Sequence, residues 1–426
     1  MILVFVAFLG LLFIGMPVGF AVGMSGALYF LQHLEFPMTT MVQLPITQTQ
    51  SVTLLAVPLF IFAGNLMNAS GITSQLIELA TLLTGHLKGG LAQVSVVLST
   101  LMGGVSGSTN ADAAMESRIL GPDMLKQGYS KGYTGAVIGW TALITSTIPP
   151  GVAMITYGTV ANVSIGRLFC AGLTVGIVMM ILYMLIVRIT AGIKGYQPAR
   201  TERAKLSDIL ENLKSSIWAL AFPFLLLFGL RLGIFTTSEC GAFACAYAVF
   251  VGLFIYKKLD GETFFDTMRR AILDNGGIML MISMSGIFGY GVPLDKIPQK
   301  VTALITAINA SPFFVMALVI LFLIILGMFM EGSIIILLTT PILLPLVQSV
   351  GVNPIVFGLI VSVIVTMGNL TPPVGIAMYT VCDILHIDLK DYIIESLPFL
   401  IATLLEVALM LMFPQVVMAI PNLLFG

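Results

Sequence analysis

Gly103–Met115 reads GGVSGSTNADAAM and Thr145–Gly151 reads TSTIPPG; in the second half, Gly327–Pro341 reads GMFMEGSIIILLTTP and Gly368–Gly375 reads GNLTPPVG. Each pair sets a Gly/Ser break inside a long apolar run, followed about forty residues later by a Pro-Pro break inside another. A single break of this kind is an ordinary kink capped by local hydroxyls. Four breaks paired by an internal repeat are different. Lipid leaves unpaired amides and carbonyls unsatisfied, so irregular backbone at membrane depth persists where protein or a water-filled cavity surrounds it. Interrupted segments at corresponding positions of two halves point to the binding site of a transporter.

Working outward, the whole chain has the composition of a membrane protein. Of 426 residues, 58% are hydrophobic and 9% charged, and mean hydropathy is +1.06, against about a quarter charged in soluble domains. The apolar runs are continuous rather than alternating, which excludes a β-barrel. A net charge of −1 and the lack of a basic, aromatic-studded patch give nucleic-acid binding no support. Cys170, Cys240, Cys245 and Cys382 lie in apolar segments without metal-ligand spacing and read as small buried helix residues, so no transition metal is expected. Met1–Phe30 lacks a basic leader region and reads as a retained first span.

Spans are expected at Ile2–Leu31, Leu54–Asn68, Leu168–Ile189, Ile217–Leu232, Ala242–Tyr256, Gly276–Val292 and Tyr392–Phe413. Tyr133–Asn162 and Pro354–Leu385 read as spans interrupted at their Pro-Pro pairs. Ile72–Leu87, Lys194–Lys214, Lys257–Arg270 and Leu294–Asn309 read as interfacial arms. Three Lys/Arg groups (Arg118 with Lys126 and Lys131, Arg188–Lys214, Lys257–Arg270) fit a single topology that places them all in the cytoplasm. The hairpin at 90–126 then enters from the cytoplasm and the hairpin at 312–350 from outside. The expected fold is an all-α polytopic membrane protein: an inverted repeat with two re-entrant helical hairpins and two broken transmembrane helices. Its parts are a first repeat (1–190), an amphipathic arm with a linking helix (191–235) and a second repeat (236–426).

The breaks carry the chemistry of a sodium site. Sodium wants five or six oxygens, from freed carbonyls, hydroxyls and amides, and helix ends supply both carbonyls and a favourable dipole. The first tip offers Ser106, Ser108, Thr109 and Asn110, with Gly103 letting the backbone turn; the facing break offers Thr145, Ser146 and Thr147 before Pro149 and Pro150. Proline removes a donor and crowds the preceding turn, freeing carbonyls there. The second half offers Gly332 and Ser333, then Thr366, Asn369 and Thr371 before Pro372 and Pro373. Asp112 and Glu331 adjoin the tips; Asp112 reads equally as an ion or substrate ligand and as a helix N-cap. Glu116 reads as the partner of Arg118 on an exposed face. Gly15, Gly19 and Gly23 form a small-residue face, for internal packing or for a partner. Arg188 and Arg231, at span ends, read as snorkelling to the interface.

GSTNADAAM, TSTIPPG, MEGS and GNLTPPVG, in this order, resemble the large membrane subunit of tripartite ATP-independent periplasmic (TRAP) transporters, and the resemblance covers essentially the whole chain. It implies an elevator-type secondary transporter of the ion transporter superfamily in a bacterial inner membrane, with two or more sodium ions as coupling ions and no other cofactor. It implies a small four-helix membrane subunit, here expected as a separate chain, and a periplasmic substrate-binding protein. By the same resemblance, sodium is expected at Gly103, Ser106, Ser108, Asn110, Thr145, Thr147, Pro149, Gly332, Ser333, Thr366, Asn369 and Thr371. The substrate is expected at Ser108, Thr109, Asn110, Asp112, Pro150, Glu331, Ser333 and Pro373.

The implied substrate is a carboxylate. Without an Arg at the tips to grip two carboxyl groups, a monocarboxylate such as a sialic acid is favoured over a C4-dicarboxylate. The alternatives are a stand-alone sodium-coupled carboxylate transporter and a sodium/proton antiporter. An antiporter normally sets acids at the crossing of its broken helices, where this chain has hydroxyls and amides. No HExxH, Ser–His or Asp–Asp constellation suggests an enzyme.

Overall fold

The computed structural model describes residues 1–426 except 201, 308–310 and 426. The described residues form helices joined by short connections, with no strand among them. Six helices are long and apolar enough to cross a membrane: Ile165–Lys194, Leu206–Arg231, Thr237–Ile255, Gly261–Leu294, Gly332–Ser349 and Leu389–Met412. Two helix pairs join them if each is one bent span: Met38–Thr49 with Thr53–Ala69, bent by 56°, and Lys131–Thr147 with Val152–Val160, bent by 42°. Large apolar side chains face outward along this shell, including Phe13, Ile14, Phe224, Leu273 and Ile401. Water would penalise such a surface and hydrocarbon would not. The chain is a multi-pass membrane protein.

The four breaks fall where the motifs are. Gly90–Gly103 and Thr109–Lys126 are the arms of the first hairpin; Pro312–Gly327 and Gly332–Ser349 are the arms of the second. After each hairpin comes a broken helix, Lys131–Thr147 then Val152–Val160, and Pro354–Gly368 then Ile376–Leu385. After each broken helix comes a long one, Ile165–Lys194 and Leu389–Met412. Every residue from Gly132 to Thr147 and from Ile355 to Gly368 is buried, so the first halves of the broken helices form the centre of the molecule. Each begins at a side-chain cap: the Ser130 hydroxyl accepts from the Tyr133 amide and the Asn353 carbonyl from the Ile355 amide, as helix starts require. Each ends before a proline pair joined by a cis peptide bond, Pro149-Pro150 and Pro372-Pro373.

Elsewhere the helices depart from the expected runs. Ile2–Leu31 is two helices, Ile2–Phe13 and Val18–Gln32, parted where Gly15 adopts φ +87° ahead of Pro17. The small-residue face is used internally: Gly19 and Gly23 lie against Leu280 and Met284 of Gly261–Leu294. Most of Lys257–Arg270 is no separate arm, since Gly261–Arg270 forms the opening turns of that 34-residue helix. Leu206–Lys214 likewise runs straight into the linking span. The arm expected at Leu294–Asn309 appears as Ile297–Ala307, and its last two residues lie outside the described ones. Met38–Thr49 and the terminal helices Pro414–Val417 and Ala419–Phe425 were not expected. Arg231 is exposed, yet its Nε donates to the Leu424 carbonyl at 2.8 Å, tying down the terminal helix.

Candidate functional site

Both hairpin tips open onto one cavity of about 520 Å³. From the first tip it is lined by Ser106, Gly107, Ser108, Thr109, Asn110 and Ala111; from the second by Glu331, Gly332 and Ser333. The broken helices add Ser146, Val152 and Ala153 on one side and Thr366 and Asn369 on the other. Two residue groups far apart in sequence are thus brought to one space.

The first tip closes by backbone alone. Gly107 adopts φ +58°, and a Cβ there would lie 2.0 Å from the Pro150 carbonyl oxygen, so both the conformation and the clearance demand glycine. Ser108 is extended and caps Thr109–Lys126, accepting from the Ala111 amide at 3.4 Å. The Ser106 and Thr109 hydroxyls and the Asn110 carbonyl are buried and meet no hydrogen-bond partner. Buried oxygens left this way cost on the order of 1–3 kcal/mol each, so their presence on a cavity wall marks a place for a ligand.

The second tip is built differently. Glu331 caps Gly332–Ser349: one carboxylate oxygen accepts from the Ser333 amide and the other from the Ser333 hydroxyl, both at 3.0 Å. The Val374 amide donates to the Met328 carbonyl at 3.1 Å, fastening this tip to the second proline break. Gly327 and Gly368 cross so closely that a Cβ on Gly368 would stand 2.3 Å from the Gly327 carbonyl carbon.

The remaining expected residues do not line this cavity. Thr147 donates to the Leu143 carbonyl and Thr371 to the Gly368 carbonyl. Gly103 packs on Ile148, and the Pro150 carbonyl faces Gly107. The Pro373 carbonyl accepts from the Tyr379 hydroxyl. Thr145 donates to the Asp112 carboxylate at 2.6 Å, with the Ser99 carbonyl at 2.9 Å from the same hydroxyl. Asp112 is therefore not the N-cap, which is Ser108. The reading of Glu116 is overturned outright. It is fully buried, bonded to the Ser95 hydroxyl and to the Ser99 hydroxyl at 2.8 Å. Arg118 does not share this burial, being exposed one helix face away. Ser95 and Ser99, four residues apart on an apolar helix, were the available signal for a polar partner.

Three further polar cavity residues went unread in the sequence: Asn65, Asn68 and Asp274. They come from Ala56–Ala69 and Gly261–Leu294, outside the repeated motifs, and the Asn65 side-chain amide donates to Asp274 Oδ2 at 3.1 Å. Amides three apart in an otherwise apolar run were again the clue. Among the described residues no group of three His, Cys, Asp or Glu side chains could hold a metal ion.

A polytopic helical protein with two broken helices and two hairpin tips around one polar cavity has the form of a solute carrier. Residues 5–416 match the family described as tripartite ATP-independent periplasmic transporter, DctM component, and the chain belongs to that family. It is 31% identical to the sialic acid TRAP transporter large permease SiaM of Vibrio cholerae, over 98% of this chain and 97% of that one. It is 30% identical to the C4-dicarboxylate TRAP transporter large permease DctM of Pseudomonas aeruginosa, over 94% of each. In fold it is similar to MtrF of Neisseria gonorrhoeae, described as illuminating a class of antimetabolite efflux pumps. The TM-score there is 0.59 at 11% identity, covering 87% of this chain and 84% of MtrF.

Proposed function

We propose that this chain is the large permease of a sodium-coupled TRAP transporter in a bacterial inner membrane. It imports an organic acid handed over by a periplasmic binding protein and works with a small four-helix membrane subunit. The cavity shared by the two tips, with its unpartnered buried oxygens, carries this reading. Hydroxyl and amide oxygens suit sodium, which needs oxygen ligands and no proton exchange, and family membership supplies the transport class. The repeated order of hairpin, broken helix and long helix supports two re-entrant hairpins entering from opposite faces. In that arrangement the hairpins and broken helices move as a body against the flanking spans, as an elevator. The described cavity lining holds no Lys, Arg or His, which supports an acid with one carboxylate, such as a sialic acid, over a dicarboxylate.

Uptake into proteoliposomes tests the ion sites. Alanine at Ser106, Ser108, Asn110, Ser333, Asn369 and Thr371, one at a time, is expected to raise the sodium concentration for half-maximal uptake. An unchanged sodium response in all six variants sinks the assignment, and full uptake of free solute by this chain alone contradicts the tripartite scheme. One observation favours a sodium/proton antiporter instead: Asp112 and Glu116 are buried one turn apart. Proton release driven by sodium in vesicles lacking solute is the result that reading requires.

A further inference from the structure

One wall of the cavity carries two helix N-termini, the second already capped by Glu331, and the facing wall carries an open carboxylate. On one side, Thr109–Lys126 and Gly332–Ser349, 18 residues each, begin at the lining and direct their N-terminal ends towards it. The backbone amides of Thr109 and Asn110 take no partner among the described residues, and the Ser106 and Thr109 hydroxyls beside them are more than nine-tenths buried and unpartnered. Such an end favours an anion, and sodium bound at the tips would make this side more positive still. The other side comes from different helices and carries Asp274. Its Oδ2 accepts from Asn65; its Oδ1 has no hydrogen-bond or ion-pair partner among the described residues. Glu331, the other lining carboxylate, is engaged at both oxygens by its own cap. Asp274 is exposed at the cavity and is thus the lining acid open to a solute.

We propose that the cavity takes a zwitterion, a solute with one carboxylate and one cationic nitrogen, the carboxylate at the tips and the nitrogen on Asp274. This rests on the reading of the cavity as the solute site, keeps its single carboxylate, and departs from the sialic acid named above, whose amide nitrogen carries no charge. A dicarboxylate would bring its second charge against Asp274 with no basic side chain in the described lining to offset it, whereas a protonated nitrogen would make a charge-assisted hydrogen bond there. Asp274 is accordingly a specificity residue.

The test uses the purified complex of this chain with its small subunit, in sodium-containing buffer. The probes are ectoine (a cyclic amidinium carboxylate), N-acetylneuraminate (one carboxylate, no cationic nitrogen) and succinate (two carboxylates), read by calorimetry. Ectoine is expected to bind at least about ten-fold tighter than either other probe; D274N is expected to weaken it by about ten-fold and to leave succinate unchanged or tightened. Ectoine that does not bind, ectoine no tighter than succinate or N-acetylneuraminate, or ectoine indifferent to D274N overturns the proposal. Sodium-induced thermal stabilisation, measured in D274N and in S106A, keeps the two readings apart. Its presence in D274N shows a folded, ion-competent protein whose solute preference alone is in question. Its absence in the unmutated complex strikes the sodium reading instead.

Discussion

The first and second tips occupy matching places in matching runs of helices, yet their hydrogen bonding is opposite. At the first, Ser106, Thr109 and Asn110 present buried oxygens that nothing satisfies. At the second, Glu331 and Ser333 satisfy one another. The contrast continues into the helices behind them. Four and eight residues past the cap, the first hairpin carries Asp112 and Glu116, bonded to Thr145, Ser95 and Ser99. The second carries Ile335, and Thr339 bonded to the Ile335 carbonyl of its own helix. The same backbone order sets two buried carboxylates behind the first tip and none at the corresponding positions behind the second. A shared architecture fixes where a site lies; the side chains on each copy decide what that site asks for.

The sharpest way to break this comparison is at the glycines that let each tip close. G107A meets both a left-handed φ and the Pro150 carbonyl, and is expected to cost about 3 kcal/mol from strain and overpacking together. G327A at the second tip finds its nearest atom, Gly368 Cα, at 3.2 Å and is expected to cost about 1 kcal/mol. Thermal unfolding of the purified complex ranks the two; equal losses would mean that the tips are packed alike.

Next come the positions behind the tips. E116A leaves the Ser95 and Ser99 hydroxyls facing a void in a buried layer, a loss of about 2–3 kcal/mol. T339V removes a hydroxyl that bonds only within its own helix, about 0.5 kcal/mol or less. If denaturation shows both variants equally stable, the polar interior of the first hairpin contributes nothing.

How far the sequence revealed this asymmetry follows from what each residue's neighbours could disclose. The breaks and the order of the helices were readable, because glycine and proline act locally; the cap at Ser108 was not, since Asp112, four residues on, was weighed for that role. Glu116 was misread because its partners lie on Gly90–Gly103, across the hairpin, and Arg118 two residues away offered a nearer explanation. Asp274 and Asn65 were missed because they come together only when Ala56–Ala69 packs on Gly261–Leu294. The split at Gly15 was hidden inside an unbroken apolar run. Local chemistry was legible; pairings between distant helices were not.

The sodium response sharpens the comparison on the functional side. S106A removes an oxygen that has no internal partner, and is expected to raise the sodium concentration for half-maximal uptake about ten-fold, or about 1.4 kcal/mol. S333A acts on a group already held by Glu331, and about three-fold is expected. A larger effect at Ser333 than at Ser106 would place the more demanding ion site at the second tip.

The smallest expected difference lies at the starts of the two broken helices. Asn353 accepts from the Ile355 amide at 2.8 Å, a well-formed cap, so N353A should cost about 1 kcal/mol. Ser130 accepts from the Tyr133 amide at a longer 3.3 Å, and S130A should cost about 0.5 kcal/mol. The Tyr196 hydroxyl complicates the second case, because it bonds both the Ser130 amide and its side chain. Of these two bonds only the one to the amide survives S130A, and it holds the backbone in place for the helix to start. Y196F alone and combined with S130A separates the contributions. If the double variant loses the sum of the singles, cap and tyrosine act independently; if it loses less, both act through the bond they share. If it loses more, Tyr196 has been masking a cap as strong as that of Asn353, and the two broken helices begin alike even though their tips do not.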